Sequence, residues 1–135
     1  MATKPEALRA RTKQFAIGIV KLFRVLPKTE EARVIGRQVL RSGTSVAANY
    51  RAACRARSKA EFIAKMGIVV EEADETIFWL ELLVDAQVLR PEQLTNLIAE
   101  ANELVAIFAA SQRTAKSANT TMRGQSFPKN DSMIR

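Results

Sequence analysis

Apolar residues recur along this chain at the helical period in four successive stretches. In the first, from about Pro5 to Leu26, the residues Leu8, Phe15, Ile19, Leu22, Phe23 and Leu26 share one face at roughly 3.6-residue spacing. Pro27 ends that stretch, and in "LPKTEE" Thr29 is placed to cap the next helix. The second stretch runs from Glu30 to about Arg57, with Ile35, Val39, Val46, Tyr50 and Ala53 on one face and Leu40 beside them. Gly43, among serine and threonine, costs about 1 kcal/mol of helix propensity and invites a break. The apolar face nevertheless keeps its phase from Ile35 to Ala53, which favours one continuous helix.

In "SKAE", Ser58 as N-cap and Glu61 reaching back to its amide form a capping box. The third helix it opens should run from Lys59 to about Ala86, with a core face of Phe62, Met66, Val69, Ala73, Ile77, Leu80 and Val84. Pro91, after the link "QVLRP", suits the first turn of a fourth helix. That helix carries Leu94, Leu97, Ile98, Ala101, Leu104, Val105 and Phe108. Beyond about Arg113 the periodicity lapses, and the polar, basic residues 114–135 are expected to form a flexible tail. Four amphipathic helices with short connections predict an all-α fold. The expected architecture is an up-down-up-down antiparallel four-helix bundle over residues 1–113.

Composition fits this picture: 47% of the 135 residues are hydrophobic, with only five glycines and four prolines to make turns. Charge adds something new. The net charge is +7, but residues 1–57 hold 13 Lys/Arg against 3 Asp/Glu, and residues 58–112 hold 3 against 10. A basic half thus precedes an acidic one, and the total favours polyanionic partners. There is no histidine, which excludes histidine-based acid–base catalysis, catalytic triads and imidazole metal sites. The single cysteine, Cys54, allows no internal disulfide or thiolate cluster. No catalytic residue, metal or cofactor is therefore expected. "IFWLELLV", the longest strongly apolar run, is too short to span a bilayer and contains Glu81. The N-terminus lacks an apolar signal core, so the expectation is a soluble, cytoplasmic protein.

The outer faces carry the candidate chemistry. At 100° per residue, Arg33, Arg37, Arg41, Thr44, Ala48, Arg51 and Arg55 fall within an arc of about 80° on the second helix. Such a stripe can contact phosphates, because guanidinium groups bind them bidentately. It can equally be solvated, or pair with Glu71, Asp74 and Glu75 of the third helix, in the same subunit or in another. No aromatic residue interrupts the stripe, so stacking on single-stranded bases has little support. Glu71 and Glu75 point away from the core face, and without histidine a di-metal bundle site is excluded.

The second half of the third helix is apolar nearly all round. Ile77, Leu80 and Val84 serve the core, while Ile68, Phe78, Trp79 and Leu82 are left over. That surplus predicts a self-association surface unless helix crossing buries it within one subunit. Cys54 is better placed for close helix packing beside Gly36, Gly43 and Ala47 than for reactivity. Ser42 and Asn49, one heptad apart at the edge of the apolar face, are expected to bond a neighbouring helix and fix register.

The stretch "RSGTSVAANYRAACRARSKAEF", with the acidic helix after it, resembles a bacterial four-helix bundle family encoded in intervening sequences of 23S ribosomal RNA genes. The accessory variability protein of diversity-generating retroelements is related to that family. The resemblance covers roughly residues 12 to 110 and is carried by Arg41, Ser42, Ser45, Asn49, Ser58, Lys59, Glu61 and Phe62. This chain has "NYRAA" where the family often has Asn-Ile-Ala-Glu-Gly. It has "VVEEADETIFWLEL" where a Ser-Leu-x-Glu-Leu run is common. The resemblance implies a small homo-oligomer without enzymatic activity, often a pentameric ring. The retroelement relatives imply a basic scaffold that engages a reverse transcriptase and nucleic acid. The expectation is therefore a homo-oligomeric module binding RNA or DNA through Arg33, Arg37, Arg41, Arg51 and Arg55. The alternative is a protein-interaction scaffold whose arginines pair with carboxylates across subunits.

Overall fold

The computed structural model describes residues 3–121, and the side chains of residues 3–118. Its four helices are α1 (Lys4–Val25), α2 (Glu30–Cys54), α3 (Lys59–Asp85) and α4 (Pro91–Thr121). Each of the first three starts on a hydroxyl cap that satisfies one otherwise unpaired amide. Thr3 accepts from the Glu6 amide, Thr29 from the Ala32 amide and Ser58 from the Glu61 amide. Only that half of the predicted capping box at Ser58 forms. At the other end of α3, Gln87 adopts a left-handed conformation (φ 61°), and the amides of Val88 and Leu89 return to the Leu83 carbonyl. This closes the helix and aims the chain at Pro91.

Successive helices pack closely, α1 on α2, α2 on α3 and α3 on α4, whereas α1 and α4 meet only sparingly. The shared core holds Phe15, Ile19, Val39, Val46, Met66, Val69, Leu80, Leu94, Leu104 and Phe108, all at most 3% exposed. These are positions the periodicity picked out. α2 passes through Gly43 without a break, because the missing side chain lets Ile19 of α1 lie directly against its backbone. No helix among the described residues is long and apolar enough to cross a membrane.

Three details differ from expectation. α2 ends at Cys54, three residues early, and Arg55–Arg57 belong to the turn. On α3 it is Leu83, fully buried, that serves the core in place of the expected Val84, and Val84 lies at the edge. α4 continues past Arg113 to Thr121, and Ala115 packs in the core, so residues 114–121 are helix rather than tail. The rest of the expected tail lies outside the described residues.

Candidate nucleic-acid interface

Arg33, Arg37, Arg41, Arg51 and Arg55 are all exposed on the outer face of α2 and the turn after it. They are not equivalent. Arg41 reaches across to α3, where its guanidinium donates to Glu72 (3.1 Å) and to Glu75. These bonds, Glu72 first, hold Arg41 protonated more firmly than usual. Arg33, Arg37, Arg51 and Arg55 take part in no ion pair among the described residues. A helical wheel of α2 alone could not separate these cases, because Glu72 and Glu75 meet Arg41 only through the α2/α3 register.

Glu75 also accepts a hydrogen bond from Trp79 Nε1 (2.9 Å). This bond, helped by Arg41, holds the Glu75 carboxyl below the usual carboxylate range. The link therefore contributes stability above the unfolded carboxylate pKa of about 4.3 and is lost as pH falls through the lower folded value. Trp79 is the only tryptophan, so its fluorescence reports the link directly. Acid titration should show a change in Trp79 emission below about pH 4.3. Glu75→Gln should flatten that change without lowering stability much, since Glu75 is 39% exposed. An unchanged titration curve in the variant would show that the bond does not exist in solution.

The surplus apolar residues of α3 share this side of the α2/α3 pair. Phe78 is 54% and Ile68 40% exposed, while Trp79 and Leu82 are half-buried. Phe78 and Trp79 meet edge to face with centroids 5.0 Å apart. Val34, seven residues before Arg41 on the same face of α2, is 52% exposed. The fold therefore leaves much of this strip uncovered within one chain.

Of the polar residues expected to set register, Ser42 does so. It is fully buried, donates to the Gln38 carbonyl, and lies 2.9 Å from the Thr76 hydroxyl of α3. Asn49 does not cross to a neighbour: its amide donates to the Ser45 carbonyl of its own helix. Its place at the edge of the face lets the short side chain fold back onto the preceding turn. Cys54 is half-buried beside Tyr50, whose hydroxyl pKa is raised by burial and by that thiol.

A feature that the helical pattern did not single out lies on the flank of α2. Arg51 and Arg55 line a groove whose other wall is α1, and there Arg9 and Lys13 face them. On each side the two cations are four residues apart, Arg55 being the residue that caps α2. On the α3 side, Arg57 and Lys65 continue the surface, with the carboxylate of Glu61 among them. The signal was present in "RARTK", but only the α1/α2 packing brings it to this site. Arg11, on another face of α1, is instead committed to Glu100 (2.7 Å) and Glu103 (2.8 Å) of α4. Among the described residues no group of His, Cys, Asp or Glu could hold a metal ion.

Residues 7–110 match the family model described as 23S rRNA-intervening sequence protein. The chain belongs to this family. It is also similar to a crystal structure from Bacteroides thetaiotaomicron, a protein of unknown function from the S23 ribosomal protein family. The two are 36% identical with a TM-score of 0.71, over 76% of this chain and 94% of that one. No curated protein matches. The family match takes in α2 and α3 whole and most of α1 and α4 of this family member, including the Arg41–Asn49 stretch and the Ser58 turn.

Proposed function

We propose that this family member is a non-enzymatic, homo-oligomeric module that holds RNA or DNA through its basic surface. The observation that carries this reading is the outer face of α2 and the turn after it, where Arg33, Arg37, Arg51 and Arg55 are exposed and without ion pairs among the described residues. Arg41 belongs to the structural pairing with α3 and is set apart from the contact surface. Oligomerisation is supported by the uncovered strip of Ile68, Phe78, Trp79 and Leu82, and the family resemblance favours a pentameric ring. The same resemblance suggests an accessory role beside a reverse transcriptase or an rRNA-associated element.

The test is a mobility shift against structured RNA at low and moderate salt. Four phosphate contacts per subunit predict a loss of affinity on the order of a hundredfold for a fourfold rise in salt. Light scattering on the same preparation should give a mass of several chains. Absent binding at low salt, or binding indifferent to salt, would overturn the reading.

A second reading has one observation in its favour. The pairing of Arg41 with Glu72 and Glu75 supports it, and Glu71 and Asp74 of α3 remain exposed. A scaffold that repeats this pairing between subunits would lose its assembly in Arg33→Glu or Arg37→Glu. The nucleic-acid module would keep its assembly and lose affinity.

A further inference from the structure

The basic residues are distributed unevenly along α2, and the unevenness has a direction. Near the start of α2, Arg33 and Arg37 stand on an open face beside the exposed Val34. Near its middle, Arg41 is neutralised by Glu72 and Glu75. Near its end, Arg51 and Arg55 form one wall of a groove and Arg9 and Lys13 of α1 form the other.

Residues four apart on a helix are displaced by about 6 Å along its axis. The groove therefore carries two short, antiparallel rows of positive charge. Ala10, Ala47 and Cys54 also line it, and no carboxylate does. None of its four cations joins an ion pair among the described residues; the cations that do, Arg11, Arg41 and Arg90, lie outside it. A row of anions can thus enter the groove and meet charge from both sides, without displacing a competing carboxylate.

Resting on the nucleic-acid reading above, we infer that this α1/α2 groove seats the sugar–phosphate backbone of a nucleic-acid double helix. Arg9 and Lys13 are phosphate contacts on the same footing as Arg51 and Arg55. The groove offers guanidinium and ammonium groups but no aromatic ring among its lining residues, and the ring of Tyr50, beside Cys54, is buried at 5% exposure. Single strands gain much of their affinity from stacking on such rings, which this site cannot supply. A duplex presents about one charge per 1.7 Å of axis, twice the density of one strand, and so gains more from a purely cationic groove. Thr44, which also lines the groove, donates its hydroxyl to the Leu40 carbonyl (2.7 Å), so that O–H is already committed within the helix. The four cations are assigned to backbone phosphates, contacts that carry no sequence information.

The experiment uses the full chain, a short RNA duplex and one of its strands alone, with affinity measured across a salt series. The unmodified protein should bind the duplex at least tenfold tighter than the strand. Arg9→Gln with Lys13→Gln should weaken duplex binding at least tenfold and reduce the salt slope by about 2, one for each phosphate no longer held. Lys21→Gln with Lys28→Gln changes the net charge equally, away from the groove, and should leave the slope nearly unchanged. Lys13→Gln alone, at an exposed position, should reduce the slope by about 1, which guards against a folding effect at Arg9. If the groove variants behave like the Lys21/Lys28 control while binding persists, or if the single strand binds tighter, the groove assignment is wrong and the nucleic-acid reading stands. If the unmodified protein binds neither probe at low salt, the reading itself fails.

Discussion

Replacing Phe108 by alanine should remove about 3–5 kcal/mol of stability, the largest loss expected from any single side chain here. Phe108 is fully buried near the middle of α4, and its ring lies 5.2 Å from that of Tyr50 on α2. The pair joins two helices that are diagonal in the bundle, so the cavity left behind would open at the centre of the core. Neither Tyr50 nor Leu104 can fill it without leaving its own neighbours. Domains of this size are stable by only about 5–15 kcal/mol, so the variant should melt many degrees lower. Phe108→Leu keeps most of the volume and should cost under about half as much. Chemical denaturation at one fixed protein concentration measures both variants. A loss below about 1 kcal/mol for alanine would mean that the core is not packed as described.

The second large effect is steric. A Cβ added at Gly43 would lie 2.7 Å from Ile19 Cγ1, 3.0 Å from Cγ2 and 3.2 Å from Cδ1. Ile19 is fully buried and branched at Cβ, so it cannot swing aside, and α1 would have to separate from α2. Gly43→Leu should therefore cost about 3 kcal/mol, at the upper end for an overpacked core, despite the better helix propensity. Gly18 provides the contrast. Its added Cβ would meet only the terminal Cδ2 of Leu97 at 3.1 Å, a half-buried side chain that can shift. Gly18→Ala should be neutral or gain up to about 1 kcal/mol. Urea midpoints in the order Gly18→Ala, unmodified, Gly43→Leu would verify the α1/α2 contact, and a reversed order would refute it.

What the sequence could show of all this depended on the range of each interaction. The helices and most of the core were legible because burial imposes a period, and Ile35 to Ala53 kept theirs through Gly43. The last turns of α4 were missed because alanine and threonine give no apolar stripe there, and only Ala115 against the core betrays the face. Leu83 and Val84 are neighbours, and which of them points inward depends on how α3 crosses the bundle. The site was legible as a set of arginines but not as an arrangement. Arg41 needed Glu72 and Glu75, Arg51 needed Arg9 and Lys13, and each of those pairings is set by a register between helices.

The contact between α1 and α4 is the slightest of the four seams between helices that close this bundle. α1 is held chiefly by α2, so local opening should begin by peeling the first helix away, well below the cost of global unfolding. The Arg11 link to Glu100 and Glu103 is the clasp that delays it. Anything bridging the walls of the α1/α2 groove would add a second clasp on the other side of the same helix. It would leave α1 tied on both flanks.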